Sequence, residues 1–337
     1  MKILSIIVPC YNSQAYMRRC VDSLLAGGDD VEIIIVNDGS TDGTAALADE
    51  YRRRIPQMVK VIHQHNKGHG GAINTGLCEA QGVFVKVVDS DDWVNLSAYK
   101  KTLKILTSFA PNERPDAFIS NYVYEKAGKH RKTAIGYGNV FPQGCLFTWE
   151  DIGGFRIGQY LLMHALIYRR DVLQKCDLRL PENTFYVDNI YAYAPLRCVE
   201  TMYYLNENLY RYFIGREGQS IQEKTMIRRI DQQLAVNRMM VEAIDLRDTD
   251  SDKKRAYLAH YMEIVTAVSS ILLLIEGSRG SIVKKDALWR FIKDKDAVLY
   301  DRLRTGFLGR LLHIPSRPGR YTAILVYKVL RKIVGFN

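Results

Sequence analysis

Four short runs of Val and Ile, each closed by polar or turn residues, constrain this chain more than any other feature. They are Leu4–Val8, Glu32–Val36, Val59–His63 and Val83–Val88. Runs of this length, rich in β-branched residues and bounded by turn signals, read as buried strands. Helical spacing fills the intervals. Ser13–Ala26 carries Tyr16, Met17, Cys20, Val21, Leu24 and Leu25 on one stripe, and Thr44–Arg54 and Ala72–Ala80 follow. Strand–helix–strand repetition predicts an α/β fold: a Rossmann-like, mostly parallel sheet with helices on both faces. In such sheets ligands bind beyond the carboxyl ends of the strands.

Those ends are where the unusual residues sit. The fourth strand runs into Asp89-Ser90-Asp91-Asp92. Carboxylates this close repel and raise one another's pKa, unless a hard divalent cation takes them as ligands. The alternative is a solvated acidic turn. The second strand ends in Asn37-Asp38-Gly39-Ser40-Thr41-Asp42. Helix capping accounts for Ser40 to Asp42, whereas Asp38 is placed to accept hydrogen bonds from a base or ribose. The first ends in Pro9-Cys10-Tyr11-Asn12, where Tyr11 suits either stacking on a nucleobase or turn packing. The third leads to Asn66-Lys67-Gly68-His69-Gly70-Gly71-Ala72-Ile73-Asn74. Glycines beside a Lys before a helix suit a phosphate. The segment is neither a Walker A loop nor a dinucleotide fingerprint, because the last glycine of the latter would fall at Ile73. A plain flexible loop is the alternative.

Beyond residue 115 the pattern is mixed. Ala117–Tyr124 and Thr201–Leu205 read as strands, and the Gly- and aromatic-rich Gly136–Gly158 as loops over the site. Candidate helices follow at Ile227–Ile244, Ala256–Ile275, Ile282–Tyr300 and Arg320–Val334, with breaks at Gly277–Gly280 and Pro315–Gly319. The charge is uneven. Residues 277–337 hold 14 Lys/Arg against 4 Asp/Glu, so the whole net +10 sits there and the other 276 residues balance. Such a tail suits an acidic partner surface. The six cysteines form no CxxC pair, which points to free thiols in a reducing compartment. Pro9 stops the N-terminal apolar run short of a signal peptide, and the longest apolar stretch, Ile264 to Ile275, is too short to span a membrane.

Taken together, the segments SIIVPCYNS, EIIIVNDGSTDGT, NKGHGGAINTGL, VKVVDSDDWV and the stretch from Leu180 to Ser220 resemble the family 2 glycosyltransferases, which have the GT-A fold. The match spans about Leu4 to Ser220. It implies a catalytic domain over 1–220, with a nucleotide-binding half (1–115) and an acceptor half (116–220), followed by a basic helical region over 221–337. The resemblance implies that Pro9, Tyr11, Asn12 and Asp38 hold the nucleoside, with Lys67, Gly71 and Ser90 also on the donor. Asp89-Ser90-Asp91 matches the Asp-x-Asp motif, so Asp91 would contact Mg²⁺ or Mn²⁺ and Asp89 the ribose or the metal. Asp188 matches the general base; the Glu that normally precedes it is Val187. Ile73 replaces an Arg that reaches phosphate in relatives, a role for which Lys67 or His69 would have to compensate. Arg211, Arg216, Gln219 and Ser220 match a loop that closes over the diphosphate. His164 suits either an acceptor-site role or a satisfied internal histidine, and Asp92 is an extra carboxylate.

The implied reaction is inverting transfer of a sugar from a nucleoside-diphosphate sugar, UDP favoured, to a glycan or lipid-linked hydroxyl in bacterial surface-polysaccharide synthesis. The implied location is the cytoplasm, at the inner face of the membrane. Arg317 to Phe336 reads as a basic amphipathic helix that either lies on anionic lipid or packs on the catalytic domain. The rival functions are a sugar nucleotidyltransferase, which usually carries a Gly-rich basic loop where this chain has Pro9–Ala15, and a non-catalytic binding protein. No nucleic-acid-binding motif accompanies the basic tail.

Overall fold

The computed structural model describes every residue except 1, 127, 129–131, 216–221, 315–316 and 335–337, and of 317 and 330–334 the backbone alone. Two compact units form: Met1–Gly154 with Leu161–Arg216, and Phe155–Tyr160 with Glu217–Asn337.

The first unit opens with the expected alternation: β1 (Leu4–Cys10), α1 (Met17–Leu24), β2 (Val31–Asp38), α2 (Thr44–Arg54), β3 (Val59–Gln64), α3 (Gly68–Glu79) and β4 (Phe84–Val87). These strands pair in parallel in the order β3-β2-β1-β4. Every residue of β1 and β2 is buried, as strands covered on both faces must be. Pro9 lies in an inner strand, where a missing N–H normally costs a ladder bond. Its register explains the exception. Pairing of β1 with β4 ends at Ile7↔Val87, and residues two apart point the same way, so the absent donor of Pro9 faces the side on which β4 has stopped.

After β5 (Trp93–Val94) and α4 (Leu96–Ser108), the sheet continues through β6 (Ala117–Lys126), β7 (Thr133–Ile135), β8 (Leu146–Thr148), β9 (Leu166–Arg169), α5 (Arg170–Lys175), α6 (Asp188–Tyr193) and β10 (Thr201–Ile214). Here it becomes mixed: β9 inserts antiparallel between β4 and β6, while β6 and β10 run parallel. β10 is much longer than the expected Thr201–Leu205. Its polar Asn206-Glu207-Asn208 reads as a turn, yet the register shifts there and the strand goes on, as a β-bulge allows. The Asn121 amide Nδ2 donates to Asn206 Oδ1 (2.8 Å) and Asn208 Oδ1 (3.3 Å), which satisfies the irregular stretch.

The second unit is helical: α7 (Glu223–Arg228), α8 (Ile230–Ala243), α9 (Asp252–Glu276), α10 (Arg279–Lys295), α11 (Ala297–Thr305), α12 (Phe307–Leu312) and α13 (Arg317–Val334). The expected Ile282–Tyr300 helix divides because Asp296 accepts the Leu299 N–H and so caps a new start. The core helix α9 touches each of the others. By length and composition α9 alone among the described residues is apolar enough to cross a membrane, but most of that stretch is buried inside the protein. Its polar positions serve helix partners. Asn237 Nδ2 of α8 donates to Thr266 and Ser269 (3.2 and 3.3 Å), and Trp289 Nε1 of α10 donates to Ser270 Oγ (3.0 Å). Phe155 stacks on Tyr257 at 4.3 Å and Tyr160 meets Tyr261 edge-on at 5.0 Å, so these rings draw the end of the Gly136–Gly158 segment into the helical unit.

Candidate active site

Parallel register brings the four strand ends to one edge: Cys10 lies beside Asn37, Asp38 beside Gln64, and Ile7 beside Val87. Asp38 is buried, and its Oδ1 accepts from Gln64 Nε2 (2.6 Å) and the Lys67 N–H (2.9 Å), fixing the chain that leaves β3. Asn12 sits at φ 48°, a left-handed conformation that Asn tolerates. Its N–H donates to Ser40 Oγ (3.0 Å) and its Oδ1 accepts the Thr41 N–H (2.8 Å), joining the loops after β1 and β2. Tyr11, 54% exposed, leaves a ring face at this edge. Ser90 Oγ meets Ser13 Oγ at 2.7 Å, which ties the acidic turn to the same loop.

The glycine-rich segment packs closely on a second stretch of the chain. α3 begins at Gly68, so Gly70 and Gly71 lie within the helix. A Cβ on Gly68 (φ 74°) would lie 2.9 Å from Asn183 Cα, and one on Gly70 would run into the Pro181 carbonyl oxygen. A Cβ on Gly71 would meet the Lys67 side chain. Asn74 clamps Leu180, donating to its carbonyl (2.8 Å) and accepting its N–H (3.0 Å), and the Asn183 N–H donates to the Lys67 carbonyl (2.7 Å). The segment is therefore a docking platform for residues 180–183. That strip leads through Tyr186, held at φ 68°, to Asp188 at the first turn of α6. An aromatic residue at positive φ costs about 1–3 kcal/mol and persists only where packing imposes it. Lys67 Nζ lies 3.4 Å from Glu182.

Asp188 is half-buried, and desolvation pushes its carboxyl up to about 6; Asp89 adds to the rise, while His69 and the backbone N–H groups of Asp188 and Asn189 oppose it. His69 Nε2 lies 2.8 Å from Asp89 Oδ1. An ionised carboxylate only accepts, so His69 supplies the proton of this bond. Burial disfavours the charged ring, but Asp89, Asp188 and Asp91 outweigh it and the imidazole is held above its ordinary pKa.

Asp92 is almost fully buried. Tyr210 Oη donates to its Oδ2 (2.6 Å) and the Phe213 N–H to its Oδ1 (2.7 Å). Burial, then Asp91 and Asp89, push its pKa well above the carboxylate range. His164, 4% exposed, stacks on Tyr212 at 4.1 Å and meets Tyr210 edge-on at 4.7 Å. Neither ring nitrogen has a hydrogen-bond partner, so it is not a satisfied internal histidine. Its Nε2 lies 3.9 Å from both Asp89 Oδ2 and Asp92 Oδ2. Asp89, Asp92 and His164 offer ligand atoms within 4.8 Å of one another, a donor set suited to a divalent cation; Asp91 is outside that group.

Two expectations meet limits here. Arg211, expected in a closing loop, lies in β10 and pairs with Glu125 (3.0 Å). Arg216, Gln219 and Ser220 fall outside the described residues. Sequence reasoning missed Tyr210, Tyr212 and Lys86. The period-2 tyrosines after the polar triplet were the available signal for the first two.

The model of Glycosyl transferase family 2 matches residues 5–175, half of the chain. The chain is 30% identical over 215 residues to the uncharacterized glycosyltransferase EpsJ of Bacillus subtilis, covering 62% of this chain and 60% of that one. It is 28% identical over 220 residues to the poly(ribitol-phosphate) beta-N-acetylglucosaminyltransferase TarS of Staphylococcus aureus, covering 64% of this chain but 36% of TarS. The chain thus spans under two thirds of the length of these relatives. The crystal structure of S. aureus TarS 1-349 in complex with UDP-GlcNAc superposes with a TM-score of 0.69 at 25% identity, over 98% of this chain and 91% of that one. The mixed sheet, the helical C-terminal region and this likeness identify the fold as GT-A, and the chain belongs to glycosyl transferase family 2.

Proposed function

We propose that this chain transfers a sugar from a nucleoside-diphosphate sugar, a UDP-sugar in preference, to a hydroxyl of a glycan or lipid-linked acceptor, inverting the anomeric centre. One observation carries the reading: a carboxyl held at about 6, Asp188, stands beside an acidic cluster suited to a cation at the strand ends. The UDP-GlcNAc in the TarS structure supports the choice of donor. Residues 1–220 are the catalytic domain in this reading.

Tyr11, Asn12 and Asp38 receive the nucleoside, with Pro9 shaping the strand end, and Lys67, Gly71, Ser90 and Arg216 belong to the donor site. Asp89, common to the Asp-x-Asp motif and to the cation-suited group, would hold Mg²⁺ or Mn²⁺ together with Asp91 of the same motif. When bound, the cation neutralises charge developing on the diphosphate as it leaves. Asp188 orients the acceptor hydroxyl and takes its proton as the oxygen bonds to the anomeric carbon and the bond to the diphosphate oxygen breaks. A base near 6 is largely ionised at neutral pH yet keeps useful proton affinity. In the helical unit, α13 exposes Tyr321, Leu325 and Val329 four residues apart, beside exposed Arg320 and Lys328. That face suits anionic lipid, which would bring the enzyme to a lipid-linked acceptor.

The test is nucleoside-diphosphate release from UDP-, GDP- and dTDP-sugars, with Mn²⁺ or EDTA, by wild type, Asp91→Ala and Asp188→Asn. Metal-dependent release from one donor, lost in both variants, is expected. No binding or turnover of any nucleotide sugar with metal present would refute the proposal.

A further inference from the structure

Buried, unpartnered polar atoms are uncommon in folded proteins, and each one asks for an explanation. His164 has two on one ring. It reaches the acidic turn from the far side, on the short turn that precedes β9, and is nearly sealed from solvent. A buried imidazole without a partner forfeits the hydrogen bonds it made to water, which destabilises the fold unless something else takes them up.

The surroundings hold this ring in place. Tyr212 stacks on one face and Tyr210 abuts it edge-on. Lys86, buried in β4, donates from Nζ to the carbonyls of His164 (2.9 Å) and Leu166 (3.2 Å), which pins the backbone on both sides of Ala165. Two carboxylate oxygens stand close to Nε2, Asp89 Oδ2 and Asp92 Oδ2, each 3.9 Å away. That is too long for a hydrogen bond. Two ligand atoms about 2 Å from one small cation lie roughly 3 Å apart, so a modest closure places all three around an ion.

The remaining lone pairs are organised in the same sense. His69 donates to the other oxygen of Asp89, and Tyr210 and the Phe213 N–H donate to Asp92. Outer partners of this kind orient carboxylate ligands.

We infer that Nε2 of His164 and Asp92 Oδ2 join Asp89 Oδ2 among the protein ligands of the divalent-cation site, an inference that rests on the metal-dependent reading above. It assigns Asp92 and His164 as ligands, makes His69 and Lys86 positioning residues, and favours Mn²⁺ over Mg²⁺, because nitrogen donors bind the transition ion better.

The deciding measurement is pulsed EPR of Mn²⁺ added to the full chain without nucleotide. Directly bound imidazole gives ¹⁴N modulation of the Mn²⁺ echo. Wild type is expected to show it, His69→Ala to keep it, and His164→Phe, which preserves stacking on Tyr212, to lose it with at least a roughly tenfold weaker Mn²⁺ affinity. Mn²⁺ bound by wild type without ¹⁴N modulation overturns the inference and leaves the metal-dependent reading standing. No Mn²⁺ binding by wild type overturns both. Should His164→Phe not fold, His164→Gln takes its place: loss of the modulation upholds the inference and its retention overturns it.

Discussion

Replacing Asp188 by Asn should stabilise the first unit while nearly abolishing turnover. Burial lifts the Asp188 carboxyl from its ordinary 3.8 to about 6. The native state therefore resists ionising a group that the unfolded chain ionises freely. At about 1.4 kcal/mol per tenfold in the proton equilibrium, the ceiling on that resistance is about 3 kcal/mol. Half-burial leaves solvent to relieve part of it, so ~1–3 kcal/mol is expected. Below about 3.8 the group is protonated in both states and the cost vanishes. Between 3.8 and 6 the unfolded chain releases the proton first, so wild-type stability falls as pH rises. Above about 6 the full cost is present. Asn carries no charge and escapes it. Thermal unfolding of wild type and Asp188→Asn in EDTA, from pH 4 to pH 8, should give curves that coincide near pH 4 and diverge through pH 6. About 2–4 °C per kcal/mol separates them at the upper end. Turnover with any active donor should fall about 10²–10⁴-fold in the variant. A stability difference that does not change with pH would refute the account of Asp188, whatever the activity.

Gly70→Ala drives a methyl into the Pro181 carbonyl. It should cost about 1–3 kcal/mol by unfolding and lower kcat by displacing the strip that leads to Asp188; unchanged kcat with intact folding would count against the docking-platform reading. Ser270→Ala strands the buried Trp289 N–H and should destabilise the helical unit by about 1–3 kcal/mol, read by Trp fluorescence during denaturation. Leu325→Glu places a charge in the exposed stripe of α13. Co-sedimentation with phosphatidylglycerol vesicles should drop sharply and wild-type binding should weaken with salt; equal binding by variant and wild type would exclude this face as the lipid contact.

The half built on β1 to β4 was legible because its signals are local. In β1, β2 and β4 burial on both faces shows as apolar runs interrupted only at Ser5, Glu32 and Lys86, and their polar ends mark the edge where ligands bind in sheets of this kind. The same logic failed at β10. A bulge resembles a turn when only one strand is read, since Asn206 and Asn208 are satisfied by Asn121, some 85 residues away. With β10 cut short, Tyr210 and Tyr212 had no assigned face, and the setting of Asp92 and His164 stayed hidden. The glycines after β3 hid a second role for a related reason. Their composition fits a phosphate loop, but a missing Cβ is equally the mark of a close approach, and the partner at Pro181 and Asn183 is over 100 residues distant. The divide therefore falls between chemistry announced by a strand's own end and chemistry assembled across strands. Asp38 and Asp89 belong to the first kind. The orphaned ring of His164 belongs to the second: it acquires meaning only when β4, β9 and β10 set two carboxylates within reach of a nitrogen that nothing else satisfies.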